Sequence, residues 1–465
     1  MDPIYTSTDR ASISKLKGPA ALAVVRVSPI AETRPPSSTP ASLEVKQSRH
    51  PIDQWPVYNS AGVLSFCGMM MFSAMPIVVA VLTRHYGLRE GQTGDIVGCY
   101  FVGVVLASLT TFAWIRRLNW RLIAIAGQTI SAAAFFSMIP DQGYIELSVL
   151  LIAAGVGGGI TYALSFTLLG DSGNPDRAFG INICYQTALS TLMFLALPLI
   201  LLNDAADVRR LAFLLGAIVV VATFGVFWVP NAGSKAVMRP SSAVVSPWLL
   251  AVGLPLLGTV ATFLLMLACA APWVFIEQAA AAKGLNPSFI DFSLAGAQFL
   301  AIAGSLAAAV IGPRYGKIRP MCTAAAVYFL GLYCLDIFHE RAMFSLGACF
   351  FLLPINFVLA FSLGLTAEVD VGGKLIGLST VSLLGPSLVA PSIAGRLYER
   401  YGFPSNLCVG VLSMVTGVGL YCWLLQLARQ RSRVADATRA SATCSDGPKS
   451  DVPDVTIITA GQEGR

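Results

Sequence analysis

The chain has 465 residues, of which 55% are hydrophobic and only 12% charged, with a formal net charge of +6. Soluble domains carry roughly 25% charged residues, so a chain this long with a mean hydropathy of +0.70 cannot cover a water-facing surface with polar groups. Its positive charges are scattered through loops and tails without a basic stripe, which argues against nucleic acid as a partner and for charge at a membrane surface.

Residues 1–55 are rich in Pro, Ser and Thr, as in Arg34-Pro35-Pro36-Ser37-Ser38-Thr39-Pro40. Such a segment cannot bury a core and reads as a disordered tail. Its one apolar stretch, Ala20–Val25, is too short for a span or a signal peptide. Apolar runs follow at 58–82, 93–114, 119–139, 145–169, 178–202, 209–229, 247–278, 290–312, 319–337, 342–365, 375–395 and 403–428. Each is long enough to cross a hydrocarbon core of about 30 Å as a helix. A Pro/Ser-containing connection, 230–246, divides the chain into bundles at 56–229 and 247–428, and 429–465 reads as a second disordered tail. The expected fold is an all-α membrane protein of twelve transmembrane helices in two six-helix repeats. The ten cysteines form no CxxC and fall mostly in or near apolar runs, where they read as small apolar filler.

An even number of spans puts both tails on one side. Loops on that side and the C-terminal flank carry thirteen Lys and Arg, against eight on the other side. The positive-inside rule makes the basic side cytoplasmic.

The two halves repeat at an offset of 197 residues. Asp171 matches Glu368, Arg177 matches Lys374, and Ser165 and Ser190 match Ser362 and Ser387. Gly87-Leu88 matches Gly284-Leu285; shifted by one, Asp95 matches Asp291 and Pro76 matches Pro272. Six helices separate equivalent positions, so the copies share one orientation and the repeat is parallel.

The loop after span eight reads Gly312-Pro313-Arg314-Tyr315-Gly316-Lys317-Ile318-Arg319. It resembles the signature Gly-x-x-x-Asp-Arg-x-Gly-Arg/Lys-Arg/Lys of the major facilitator superfamily, with Pro313 in place of the acid. The copy after span two, Ile115 to Arg121, is more degenerate, with Arg116 at the acid and Asn119 at the glycine. The resemblance covers about 57–428 and implies basic residues that latch cytoplasmic helix ends: Arg117, Arg121, Arg314 and Lys317. Plain positive-inside topology is the other reading of these bases. Asp171 with Arg177, and Glu368 with Lys374, read either as a charge network at a cytoplasmic gate or as solvated loop charges. Span five lacks the Gly-Pro motif usual in drug antiporters of that family.

Charges inside a membrane are costly and usually functional. The nearest candidate is Glu277, in Pro272-Trp273-Val274-Phe275-Ile276-Glu277-Gln278. It reads as a proton-coupling carboxylate or as a hydrated one at the interface. Asp95 and Asp291 open spans two and eight, where a carboxylate favours a helix N-terminus or takes a gate or proton role. Asn182, Gln186 and Ser190 form one stripe on span five. Thr161, Tyr162 and Ser165 lie in span four, Gln298 in span eight and Asn356 in span ten. These amides and hydroxyls either hydrogen-bond between helices or line a midplane cavity, with Tyr100 and Trp273 as an aromatic wall. No Arg or Lys lies deep in a span, which disfavours phosphate esters and dicarboxylates.

The expected function is secondary active transport of a small organic solute by alternating access, with proton-driven uptake. Efflux of a hydrophobic compound is the alternative, and a non-transporting receptor a distant one. No cofactor, metal or enzymatic chemistry is expected, since His50, His85 and His339 form no motif. The expected partners are substrate, protons and the bilayer, for a monomer in a bacterial inner membrane with both termini cytoplasmic.

Overall fold

The computed structural model describes residues 52, 54–140, 142–172, 175–201, 208–232, 253–311, 317–338, 340–369 and 376–445. Most of the N-terminal tail, most of the 230–246 linker, residues 446–465, Arg314 and Lys374 lie outside the described residues, as do the side chains of Arg177 and Glu368.

Every regular element among the described residues is helical. The first half comprises α1 (Trp55–Tyr86), α2 (Glu90–Trp114), α3 (Trp120–Ser137), α4 (Tyr144–Gly170), α5 (Pro175–Leu201) and α6 (Val208–Thr223), the last continued by a 3-10 turn over Phe224–Trp228. The second half comprises α7 (Leu254–Ala282), α8 (Pro287–Ile311), α9 (Ile318–Ile337), α10 (Arg341–Val369), α11 (Ile376–Leu384), α12 (Pro386–Tyr401) and α13 (Phe403–Ser445). Lipid offers no hydrogen bonds to a backbone, so runs this apolar close their bonds internally as helix. Ten of the helices are long and apolar enough to cross a membrane. The other two crossings are α3, of 18 residues, and the broken pair α11–α12. That break falls at Gly385-Pro386, where the proline lacks the N–H that would carry the helix on, and the helix stops and restarts.

The C-terminal tail differs from expectation at its start. Helix α13 runs on to Ser445 instead of ending near 428. The added residues are rich in Ala and Arg, good helix formers, and contain no Gly or Pro before Gly447-Pro448.

The repeat is visible in the packing. In the first half α4 packs on α2, α3 and α1, and α6 on α3. In the second, α10 packs on α8, α9 and α7, and α13 on α9. The equivalent turns after α1 and α7 use Gly87 at φ 60° and Gly284 at φ 85°, a left-handed conformation that favours glycine. The halves meet through α2 against α11 and α12, α5 against α8, and α1 against α7. The chain enters at Trp55 and α13 ends at the same, proximal, end of the bundle; the α1–α2, α7–α8 and α12–α13 turns lie at the distal end.

Glycines in α4 permit the closest approaches. A Cβ on Gly155 would sit 1.8 Å from the Tyr100 carbonyl of α2, and one on Gly157 2.3 Å from the Gly127 carbonyl of α3. The run Gly155 to Gly159 is therefore a packing surface, as small residues are between membrane helices.

Candidate functional site

A cavity of about 80 Å³ lies between the halves. It is lined by Met69, Phe72 and Ser73 of α1, Gln186, Thr187 and Ser190 of α5, Met266, Cys269 and Trp273 of α7, Gln298 and Ala301 of α8, and Leu352, Ile355, Asn356 and Leu359 of α10. On each of α1, α7 and α10 the lining residues follow helical spacing, so one stripe of each helix faces the centre. No charged side chain among the described residues lines the cavity.

The polar groups there are partly committed. Ser73 Oγ and Ser190 Oγ lie 2.9 Å apart, joining α1 to α5. Ser65 donates to Gln186 Oε1 at 2.9 Å, and Asn182 Nδ2 donates to Ser65 Oγ at 3.0 Å. Asn356 Nδ2 donates to the Ala301 carbonyl at 3.3 Å, and the Trp273 indole donates to the Phe72 carbonyl at 3.0 Å. Gln298 Nε2 is buried without a hydrogen-bond partner among the described residues.

Of the nine residues singled out in the sequence as a binding set, Gln186, Trp273, Gln298 and Asn356 come together at this cavity. The other five do not line it. Thr161 and Ser165 donate to carbonyls of their own helix, Gly158 at 2.9 Å and Tyr162 at 2.8 Å. Tyr162 packs over Gly68 and against Phe166, Tyr100 packs on Gly155 and Gly158, and Asn182 serves the α1–α5 seam. A hydroxyl in lipid can bond its own helix one turn back, so polarity alone does not place a side chain in a cavity. Phe72, Met266, Cys269 and Leu352 were missed because an apolar lining has no compositional signal; their spacing relative to Trp273 and Asn356 was the available one.

One turn of α7 beyond Trp273, about 6 Å along the axis, stands Glu277. It is 5% exposed. Its carboxyl interacts with Asp291 of α8 and Arg84 of α1. Glu277 Oε2 and Asp291 Oδ1 are both buried without a hydrogen-bond partner among the described residues. Beside them Gln278 Nε2 donates to Thr83 Oγ1 at 3.1 Å, again across the halves.

At the distal end Asp95 takes two bonds from Arg396 Nη2, at 2.9 and 3.1 Å, joining α2 to α12. Glu399 Oε1 accepts from the Gly91 amide at 2.7 Å. A Cβ on Gly94 would lie 2.2 Å from the Pro391 carbonyl, so only glycine permits this approach. Asp95 thus stands in an ion pair between the halves, apart from Glu277 and Asp291.

At the proximal end Arg116 and Arg121 bond within the first half. The nearly buried Asp171 carboxylate accepts two bonds from Arg116, at 2.6 and 2.8 Å; the side chain of Arg177, set beside it by the sequence pattern, lies outside the described residues. Arg121 donates to the Val229 carbonyl at 3.0 and 3.2 Å, tying α3 to the end of the 3-10 turn. Arg117 is exposed and Lys317 half-buried.

A family model described as the Major Facilitator Superfamily matches residues 61–371, from within α1 to just past the end of α10. The chain belongs to the Major Facilitator Superfamily. A solved structure of a variant of the nucleoside transporter NupG is similar in fold, with a TM-score of 0.59 at 12% sequence identity, covering 79% of this chain and 99% of that one. No curated protein sequence matches the chain. Membership of the superfamily makes this a multi-pass membrane protein and a secondary transporter, with the cavity between its two bundles, where such folds hold their substrates.

Proposed function

We propose that this transporter takes up a small, uncharged, polar organic solute with protons, binding it between the halves. The observation that carries this reading is the cavity lining: amides and hydroxyls set in an apolar and aromatic wall, with no charged side chain among the described residues. A charged substrate would need a counter-charge there, since an unpaired ion in a dry site is expensive. Gln186, Gln298 and Asn356 offer both donors and acceptors, which suits a solute bearing several hydroxyl or amide groups.

At about 80 Å³ the cavity is smaller than the roughly 300 Å³ or more of ordinary ligand pockets. It is the closed form of a site that widens when the halves part. Opening toward the distal side has to break Asp95–Arg396, Gly91–Glu399 and Trp273–Phe72. Glu277 and Asp291 act as the proton site in this scheme. They share one buried locale at the same interface, and protonating one relieves their mutual repulsion. With the proximal end cytoplasmic, as the Lys and Arg distribution indicates, protons and solute enter from the distal side. Arg116, Asp171 and the bases at the proximal loops would then belong to the cytoplasmic gate.

The test is uptake into proteoliposomes from a pooled panel of nucleosides, sugars, amino acids and organic acids, with and without an inward proton gradient, read by mass spectrometry of the lumen. A neutral compound concentrated only with the gradient supports the proposal. Accumulation of an anion or cation instead removes the neutral-solute reading. Loss of preloaded compound under the reversed gradient, without uptake, makes the protein an exporter.

A further inference from the structure

The first half carries a second cavity, of about 450 Å³, on its outer flank between α3 and α6. It has no part in the central site. Its origin is local: Phe136 of α3 packs tightly on Gly216 of α6, about 2.9 Å from where a Cβ would stand. Toward the proximal end the facing residues on α3 shrink to Ala132, Ala133 and Thr129, and α6 gives way to its 3-10 turn. The helices therefore part and leave a cleft. Its rim continues into an exposed apolar surface, with Phe224 64% and Phe227 68% exposed. That surface faces lipid, because residues 208–228 are the most hydrophobic of the ten spans.

Four polar side chains break this apolar wall: Thr129, Thr223, Arg121 and Gln128. Arg121 stands at the proximal mouth. Its bonds go to the Val229 carbonyl, a neutral partner that leaves its charge uncompensated, and no carboxylate pairs with it among the described residues. Gln128, two turns deeper on the same helix, is 1% exposed and lines the cleft. Its amide lies near the Cys67 thiol, yet neither Oε1 nor Nε2 reaches hydrogen-bond geometry with any described residue. A buried amide without partners is costly in hydrocarbon.

We propose that this cleft is a binding site for an anionic phospholipid of the proximal leaflet. One acyl chain lies between α3 and α6, and the phosphate sits on Arg121. An uncompensated guanidinium at headgroup depth selects negative charge, and the volume falls in the range of built ligand pockets.

The test is native mass spectrometry of the full chain released from detergent, titrated with phosphatidylglycerol or with phosphatidylcholine of the same acyl chains. Only the folded monomer peak is scored. The wild type should hold one phosphatidylglycerol with a preference of about fivefold over phosphatidylcholine, the scale of one basic residue near an anionic headgroup. Arg121→Gln should abolish the preference, while Arg121→Lys and the control Arg319→Gln keep it. Ala133→Trp, which fills the cleft and leaves Arg121 untouched, should remove the tightly held lipid altogether. Equal binding of the two lipids by wild type, unchanged binding by Arg121→Gln or Ala133→Trp, or loss of preference in Arg121→Lys overturns the assignment and leaves an annular lipid only.

Discussion

The indole N–H of Trp273 caps the carbonyl of Phe72 at 3.0 Å, and Phe72 is four residues before Pro76, which has no N–H to offer it. The proline of one half thus frees an acceptor that an aromatic donor of the other half satisfies. The second half repeats the device internally. Pro272 frees the carbonyl of Ala268, and Tyr328 of α9 donates its hydroxyl to it at 2.8 Å.

Trp273→Phe should lower stability by about 1–3 kcal/mol, the cost of leaving a buried acceptor unpaired. Pro76→Ala restores the helix's own donor. In a double-mutant cycle the cost of Trp273→Phe should therefore shrink by about 1 kcal/mol or more in the Pro76→Ala background. Denaturant unfolding of the purified protein measures both numbers, and strict additivity would sever the link between Pro76 and Trp273.

Tyr328→Phe leaves the Ala268 carbonyl unpaired by the same logic and should cost about 1–3 kcal/mol. Because Tyr328 is buried away from the central cavity, substrate affinity should stay the same. A thermal melt alongside an equilibrium binding isotherm separates the two effects.

Glu277→Gln removes the titrating group and keeps the shape. Uptake driven by a proton gradient should be lost, while exchange of labelled for unlabelled substrate across the membrane continues. Driven uptake at wild-type rate would take Glu277 out of coupling and leave Asp291 to be tested as Asp291→Asn.

Gln186→Ala should weaken substrate binding by about tenfold, on the scale of one hydrogen bond in a dry site. Thr161→Val should change it little, because the Thr161 hydroxyl is spent on its own helix. Isothermal titration of the two variants against the same ligand makes the comparison.

Arg396→Ala removes an exposed ion pair, so global stability should fall by no more than about 1 kcal/mol. Its effect belongs in the balance between distal-closed and distal-open forms. The charge swap Asp95→Arg with Arg396→Asp should recover uptake that either single change impairs, whereas equal impairment of single and double variants would argue against the pair.

How far the sequence carries depends on the physics each feature obeys. Twelve apolar runs were legible because hydrocarbon leaves a spanning backbone no partner but itself. The repeat was legible because Gly87 and Gly284, and Pro76 and Pro272, meet backbone constraints that few other residues satisfy. Gln186, Gln298 and Asn356 were legible as a class, since amides must face protein and not lipid. Their spacing could not separate them from Asn182 or Ser165, which meet the same need within the first half. The bonds from Arg116 to Asp171 were hidden because the two residues lie 55 positions apart in the chain, and only the meeting of the α2 and α4 ends brings them together.

By itself, then, the sequence determined the helices, their number and the two-fold repeat, all set by hydropathy and local backbone chemistry. The tertiary structure alone decided which polar stripe faces the centre, that Glu277 and Asp291 share one buried site while Asp95 joins Arg396, and that Trp273 answers the carbonyl freed by Pro76. Those are contacts between residues far apart in the chain, and they follow from how helices of given girth pack, which no local pattern encodes.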